Sequence, residues 1–130
     1  KAVNAGEVPG GVIYHYYWFI DQAGTGENSK NTKLHFFGNQ DPGAFVSVSG
    51  GGVLASSKNQ AAAQAFLAFL TSKAGQDVLR TGTSLEYPVA SGVAANPALP
   101  ALDTLDAPTV DPSTLNGPEV VDLMTKAGLI

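Results

Sequence analysis

The alternation of apolar and polar positions changes period several times along this chain, and each change marks an element. Lys1-Ala-Val-Asn-Ala-Gly6 reads as the tail of a helix closed by glycine, which predicts a portion of something longer. Gly11–Tyr14 reads as a short buried strand, since Val12-Ile13 is β-branched and apolar. Tyr16 to Ala23 suits a short helix broken by Gly24-Thr-Gly26. A second strand is predicted at Leu34–Phe37, ended by Gly38-Asn39 and Asp41-Pro42-Gly43. Ala44–Ser49 alternates as a third strand, and Gly50-Gly51-Gly52 follows it.

The clearest helix opens at Ser57-Lys-Asn-Gln60, a capping-box pattern, and puts Phe66, Leu67 and Leu70 on one face. Lys73-Ala-Gly75 is predicted to break it, with a further short helix over Gln76–Arg80 ending at Gly82. Residues 88–118 carry six prolines and predict extended, wrapping chain. The last helix has Asn116 as cap, Pro118 and Glu119 in its first turn, and Gly128 at its end; Val120, Leu123, Met124 and Ala127 form its apolar face. Mixed short strands and helices, with helices following strands, indicate an α/β fold.

Composition narrows the function classes. With 130 residues, 44% apolar and 14% charged, the chain is globular in character. Its net charge of −4, with no Lys/Arg cluster, argues against nucleic acid or an anionic membrane as partner. Absence of cysteine removes disulfides, thiolate metal sites and a cysteine nucleophile. No apolar run approaches the ~18–20 residues of a membrane span.

Several motif candidates fail on inspection. Gly24-Thr-Gly-Glu-Asn-Ser29 begins like a dinucleotide loop, but its sixth position is Ser and no strand leads into it. The glycine triplet lacks the Lys-Ser/Thr of a phosphate loop. Ser47-Val-Ser49-Gly is not a nucleophile elbow. His15 and His35 are too few and too far apart for a metal site of their own. No nucleophile–base–acid constellation is present, so the chain does not read as an enzyme.

One stretch is chemically unusual. Tyr14-His15-Tyr16-Tyr17-Trp18 gathers three of the four tyrosines, one of the two histidines and the only tryptophan. It lies where a predicted strand enters a predicted helix, the edge at which open α/β folds collect ligands. The helix N-terminus brings unsatisfied N–H groups and partial positive charge, which favour phenolate over phenol. Free tyrosine has a pKa near ~10, so two tyrosinates at neutral pH need a strong Lewis acid beside them. Phenolate is a hard anionic donor, suited to a trivalent cation such as ferric iron more than to zinc or copper(I). The plainer reading is a buried aromatic strand end whose hydroxyls reach the surface or bond locally. From the residues alone both stand, with Trp18 and Phe19 assigned to the core in either.

Tyr16-Tyr17-Trp18 after Gly-Val-Ile resembles the paired-tyrosine motif of bacterial ferric-iron-binding proteins, the periplasmic receptors of iron ABC importers. The resemblance runs on through Leu34-His-Phe-Phe-Gly-Asn, Asp41-Pro-Gly-Ala-Phe-Val-Ser-Val-Ser-Gly-Gly-Gly-Val-Leu, Ser56-Ser-Lys-Asn-Gln, Phe66-Leu-Ala-Phe-Leu, Glu86-Tyr-Pro, Ala95-Asn-Pro-Ala-Leu99 and Leu123-Met-Thr-Lys-Ala-Gly-Leu129. It implies the C-terminal part of a two-lobed, hinge-closing receptor of the type II periplasmic-binding fold, mixed short strands with flanking helices. Such receptors are more than twice this length.

By position, Tyr16 and Tyr17 would be the Fe3+ ligands. Tyr14 and His15 stand where relatives commonly have Asn, and by the same resemblance would be auxiliary metal or anion contacts, the anion being one such as phosphate, carbonate or citrate. Other ligands would come from the missing N-terminal half. The same resemblance puts residues 1–46 in the second lobe, 47–97 in the first after the hinge crossing, and 98–130 back in the second. It implies an ABC permease as partner, and a periplasmic or extracytoplasmic protein, free or lipid-anchored. The alternative is a related receptor that binds an organic solute, such as a thiamine-like, polyamine or sugar-phosphate ligand, through the aromatic cluster.

Overall fold

The computed structural model describes residues 1–130, apart from the side chain of Pro112. Five α-helices follow one another: α1 (Ala2–Ala5), α2 (His15–Ala23), α3 (Gln60–Thr71), α4 (Lys73–Thr81) and α5 (Gly117–Lys126). Short 3-10 turns at Pro42–Ala44, Leu102–Leu105 and Pro112–Thr114 punctuate the chain between them.

The N-terminal elements are held by side-chain hydrogen bonds to backbone. Gly6 closes α1 in the left-handed region, φ +78°, where it meets no side-chain cost. Asn4 then ties α1 to the loop after α2: its Nδ2 donates to the Glu27 carbonyl (2.9 Å), and its Oδ1 accepts from the Asn31 N–H (2.9 Å). Asp21, near the end of α2, accepts from both the backbone N–H and Nδ2 of Asn28 (3.1 and 3.0 Å) and from the buried Ser29 hydroxyl. Trp18 and Phe19 are half-buried, and Trp18 Nε1 donates to Thr32 Oγ1 (3.0 Å).

The predicted strands are a correction. Among the described residues none pairs into a sheet: Gly11–Tyr14, Leu34–Phe37 and Ala44–Ser49 run without a ladder partner, and Ala44 itself lies in a 3-10 turn. Val12 is fully exposed and Val48 is 73% exposed. A strand exists only through a neighbour that takes up its N–H and C=O groups, and among the described residues no segment supplies that pairing. The "mixed short strands" expected from the sequence are therefore absent here, although the β-branched pattern that suggested them is real.

Helices α3 and α4 form the main helix–helix contact. Ser72 alone separates them, so the break comes before Lys73 and not over Lys73–Gly75 as the sequence suggests. Its Oγ caps α4 by accepting from the Gly75 N–H (3.2 Å) while donating to the Phe69 carbonyl (2.6 Å). Gly75 is buried, and a Cβ there would stand 2.2 Å from the Phe69 carbonyl oxygen. The expected capping box at Ser57 does not form. Asn59 occupies the cap position without a side-chain bond, and Ser57 Oγ accepts instead from the Asn59 N–H (3.1 Å). The inward stripe of α3 is Ala63, Leu67 and Leu70, leaving Phe66 59% exposed.

The first part of the proline-rich stretch lies against α4, and 3-10 turns at Leu102–Leu105 and Pro112–Thr114 interrupt the extended run expected from the sequence. The buried Gln76 side chain donates to the Leu70 carbonyl (2.8 Å) and accepts from the Val89 N–H (2.6 Å). Asn96 Nδ2 donates to the Arg80 carbonyl (3.1 Å), and the Tyr87 hydroxyl to the Pro100 carbonyl (2.8 Å). Farther on, the Gln40 N–H donates to the Asp106 carbonyl (2.8 Å). Asn116 caps α5 through the Glu119 N–H (3.3 Å), as the sequence predicts. The apolar face of that helix stays open, with Val120, Val121 and Leu123 all exposed.

Ala44 and Leu99 are the buried apolar residues among those described. The accessible surface is 9655 Å². A compact monomer of 13.3 kDa would expose roughly 6,500 Å². Many large apolar side chains contribute to the excess, among them Val12, Val48, Leu54 and Phe66.

Candidate functional site

Tyr14 is the N-cap of α2, in extended conformation with φ −71° and ψ 137°. Its carbonyl accepts the Tyr17 N–H (3.2 Å) and starts the helix. The chain thus turns from extended to helical between Tyr14 and His15, so consecutive side chains are not thrown to opposite faces as in a strand. Tyr16 and Tyr17 fall in the first helical turn with ring centroids 4.6 Å apart. Tyr14 stacks parallel on Tyr16, 5.3 Å between centroids and 7° between planes. The three phenols form one cluster at the positive end of the helix. Tyr14 and Tyr17 are exposed and Tyr16 is half-buried.

This crowding affects ionisation. The Tyr16 phenol is held above its usual value, first by desolvation, then by its Tyr17 neighbour, with Tyr14 and the Glu86 carboxylate adding to the effect. Tyr16 is therefore protonated at neutral pH. Two adjacent phenols of this kind can chelate a hard cation once deprotonated.

His15, one position earlier, meets Tyr16 edge-on at 5.7 Å between ring centroids and presents the rest of its ring to other segments. Its ring lies against Tyr87 (5.4 Å), Phe36 (6.2 Å) and Phe19 (6.3 Å). Its Nε2 lies 3.2 Å from the Leu85 carbonyl oxygen. A carbonyl only accepts, so Nε2 carries the proton. Leu85 adopts φ +51°, a conformation unusual for a branched side chain.

The structure thus gathers Tyr14, Tyr16 and Tyr17 and sets His15 beside them, facing the 85–87 segment. The sequence singled out all four. Residue-level reading missed Leu85, Glu86 and Tyr87, which lie some seventy positions away. Glu86-Tyr-Pro attracts notice only as part of a family pattern, because no periodicity joins it to α2. A shallow groove of about 580 Å³ beside Tyr87, Ala95 and Leu102 does not include the phenols. Asp103 is its only charged lining residue, so it lacks the convergent polar groups that orient a ligand.

Three phenol side chains thus gather at one helix N-terminus, beside a segment from a distant part of the chain. Residues 1–77 match the sequence profile of the bacterial extracellular solute-binding proteins, and the chain belongs to that family. Membership implies a periplasmic-binding-protein fold.

Among relatives, the Fe(3+)-binding periplasmic protein of Serratia marcescens is 62% identical over 130 residues, all of this chain and 38% of that protein. The major ferric iron-binding protein of Neisseria meningitidis serogroup B is 38% identical over 130 residues, covering 99% of this chain and 39% of its own length. The iron uptake protein A2 of Synechocystis is 32% identical over 136 residues, again 39% of its length. The chain therefore spans well under half of each relative it matches. Among the described residues, no helix is long and apolar enough to cross a membrane.

Proposed function

We propose that this chain is the C-terminal portion of an extracytoplasmic receptor that captures ferric iron and delivers it to an ABC importer. The observation that carries the reading is the Tyr16–Tyr17 pair in the first turn of α2, rings 4.6 Å apart. Relatives named for ferric iron or iron uptake, matched along essentially the whole chain, supply the cation. Tyr16 and Tyr17 act as tyrosinate ligands, and neither is a catalyst. Tyr14 lies close enough to serve as a third phenol or as a hydrogen-bond donor to an accompanying anion such as phosphate, carbonate or citrate. The remaining ligands come from the part of the receptor outside this chain.

In this reading residues 1–46 and 98–130 belong to the second lobe and 47–97 to the first. The Gln40–Asp106 bond then lies within one lobe, while the His15–Leu85 bond crosses between lobes. Closure of the cleft excludes water from the ion, and docking on the permease favours reopening.

Single Tyr16→Phe and Tyr17→Phe changes in the complete receptor test the ligand assignment. Loss of an outer-shell partner alone costs about 10–100-fold in metal affinity, so loss of a ligand should cost at least about 100-fold. Ferric affinity left intact by both changes would falsify the assignment.

The parallel Tyr14–Tyr16 stack favours a second reading, in which a flat or cationic organic solute lies against the phenol faces. In that case thiamine-like or polyamine ligands, and not ferric salts, would raise the melting temperature.

A further inference from the structure

We propose that His15 is a positioning residue for the iron site: it ties the first turn of α2 to the Leu85–Tyr87 segment and so fixes the aim of Tyr16 and Tyr17. The inference rests on the ferric reading above and assigns His15 a role other than direct contact with metal or anion.

Three observations carry it. The Nε2–H of His15 donates to the Leu85 carbonyl (3.2 Å), a bond spanning 70 positions of sequence. The ring is flanked by Phe19, Phe36 and Tyr87, three aromatic residues from three separate segments, which fixes its plane. Leu85 holds φ +51°, and that uncommon conformation persists only where surrounding contacts over-determine it. The His15 bond is one such contact, since it fastens the carbonyl of the strained residue itself.

The arrangement has a mechanical consequence. His15 directly precedes the proposed ligand pair, so freedom of its ring becomes freedom of the first helical turn. Residues that orient metal ligands through hydrogen bonds typically change metal affinity 10–100-fold when removed.

The test compares His15→Phe and His15→Gln in the complete receptor loaded with ferric citrate. Phenylalanine keeps the ring packing and removes the donor. Glutamine loses the ring but can donate to the Leu85 carbonyl through its side-chain amide. Iron release into a competing chelator should be about 10-fold faster in His15→Phe and close to the parent rate in His15→Gln. The tyrosinate-to-iron absorption should keep its position in both.

A shifted band in His15→Phe, with loss of a nitrogen coupling from the ferric electron-spin signal, would make the imidazole a ligand and overturn the proposal. Unchanged release in His15→Phe would also overturn it. Equal acceleration in both variants, with equal drops in melting temperature, would reduce His15 to ordinary packing and overturn it too. The Tyr16→Phe/Tyr17→Phe receptor separates the two levels. If the parent shows no band, or the double variant keeps it, the ferric reading falls. If the band depends on the tyrosines and iron release ignores His15, only the positioning role falls.

Discussion

Gly75 and Gln76 show how much single positions carry in a molecule with so little buried apolar surface. Alanine in place of a helical glycine usually stabilises by about 1 kcal/mol. At Gly75 the sign should reverse, because the added Cβ meets the Phe69 carbonyl oxygen at 2.2 Å and Leu70 Cα at 2.8 Å, both backbone atoms that cannot swing aside. Gly75→Ala should destabilise by about 1–3 kcal/mol, read from urea unfolding of the receptor. Gln76→Leu would strand the Leu70 carbonyl and the Val89 N–H, each now paired to the buried amide. The expected loss is on the order of 2 kcal/mol or more, and a neutral result would show that water replaces the amide. Much of the site was legible at this scale. A phenol-rich run stands out in composition, and the extended-to-helical turn at Tyr14 was foreseeable from the strand-like residues before it. The direction His15 faces was not, since it depends on Leu85 and Tyr87, whose proximity no local pattern encodes.

Three carboxylates, Asp21, Asp77 and Asp111, give the molecule an acid limb, the last held low by Ser113. Asp77 is held below the usual carboxylate range first by Arg80 and then by Lys73, and Asp21 first by Ser29 and then by Asn28. A depressed native value means stabilisation that is present above the unfolded pKa of about 3.9 and lost as pH falls below it toward the native value. Stability should therefore decline below about pH 4, and the decline should be shallower in Asp21→Asn/Asp77→Asn. An unchanged acid limb in the double variant would show that these pairings add no net stability.

Helices declare themselves in this sequence and strands do not, for a physical reason. A helix satisfies its own backbone, so Asn116 before Pro118-Glu119, or Gly82 after Arg80, is enough to place an end. A strand needs a neighbour, and Val12-Ile13 or Phe45–Val48 can announce only a readiness to pair. Caps are legible as types but not always by position. Ser57 opens a capping-box pattern and Ser72 does not, yet only Ser72 accepts from an N–H inside a helix. Ser72→Ala should accordingly cost about 1 kcal/mol. Ser57→Ala should stay within about 0.5 kcal/mol, as at an ordinary surface position. Equal costs in thermal unfolding would mean that the helix after Asn59 begins earlier than described.

On the scale of the whole molecule, an exposed surface of 9655 Å² for 13.3 kDa is the dominant fact. Open faces on α3 and α5, with unpaired β-branched segments, are what a receptor lobe would show when its companion chain is not alongside. Taken alone, the 130 residues should bind a hydrophobic dye and unfold over a broad range, whereas a sharp cooperative transition without dye binding would mean that they fold independently. The central claim concerns the Tyr16–Tyr17 pair, and light absorption tests it most directly. The complete receptor is titrated with ferric citrate while the visible spectrum is followed. The account predicts a tyrosinate-to-iron charge-transfer band that saturates with bound iron and disappears in Tyr16→Phe/Tyr17→Phe. Iron binding without that band, or a band that survives the double change, would contradict it.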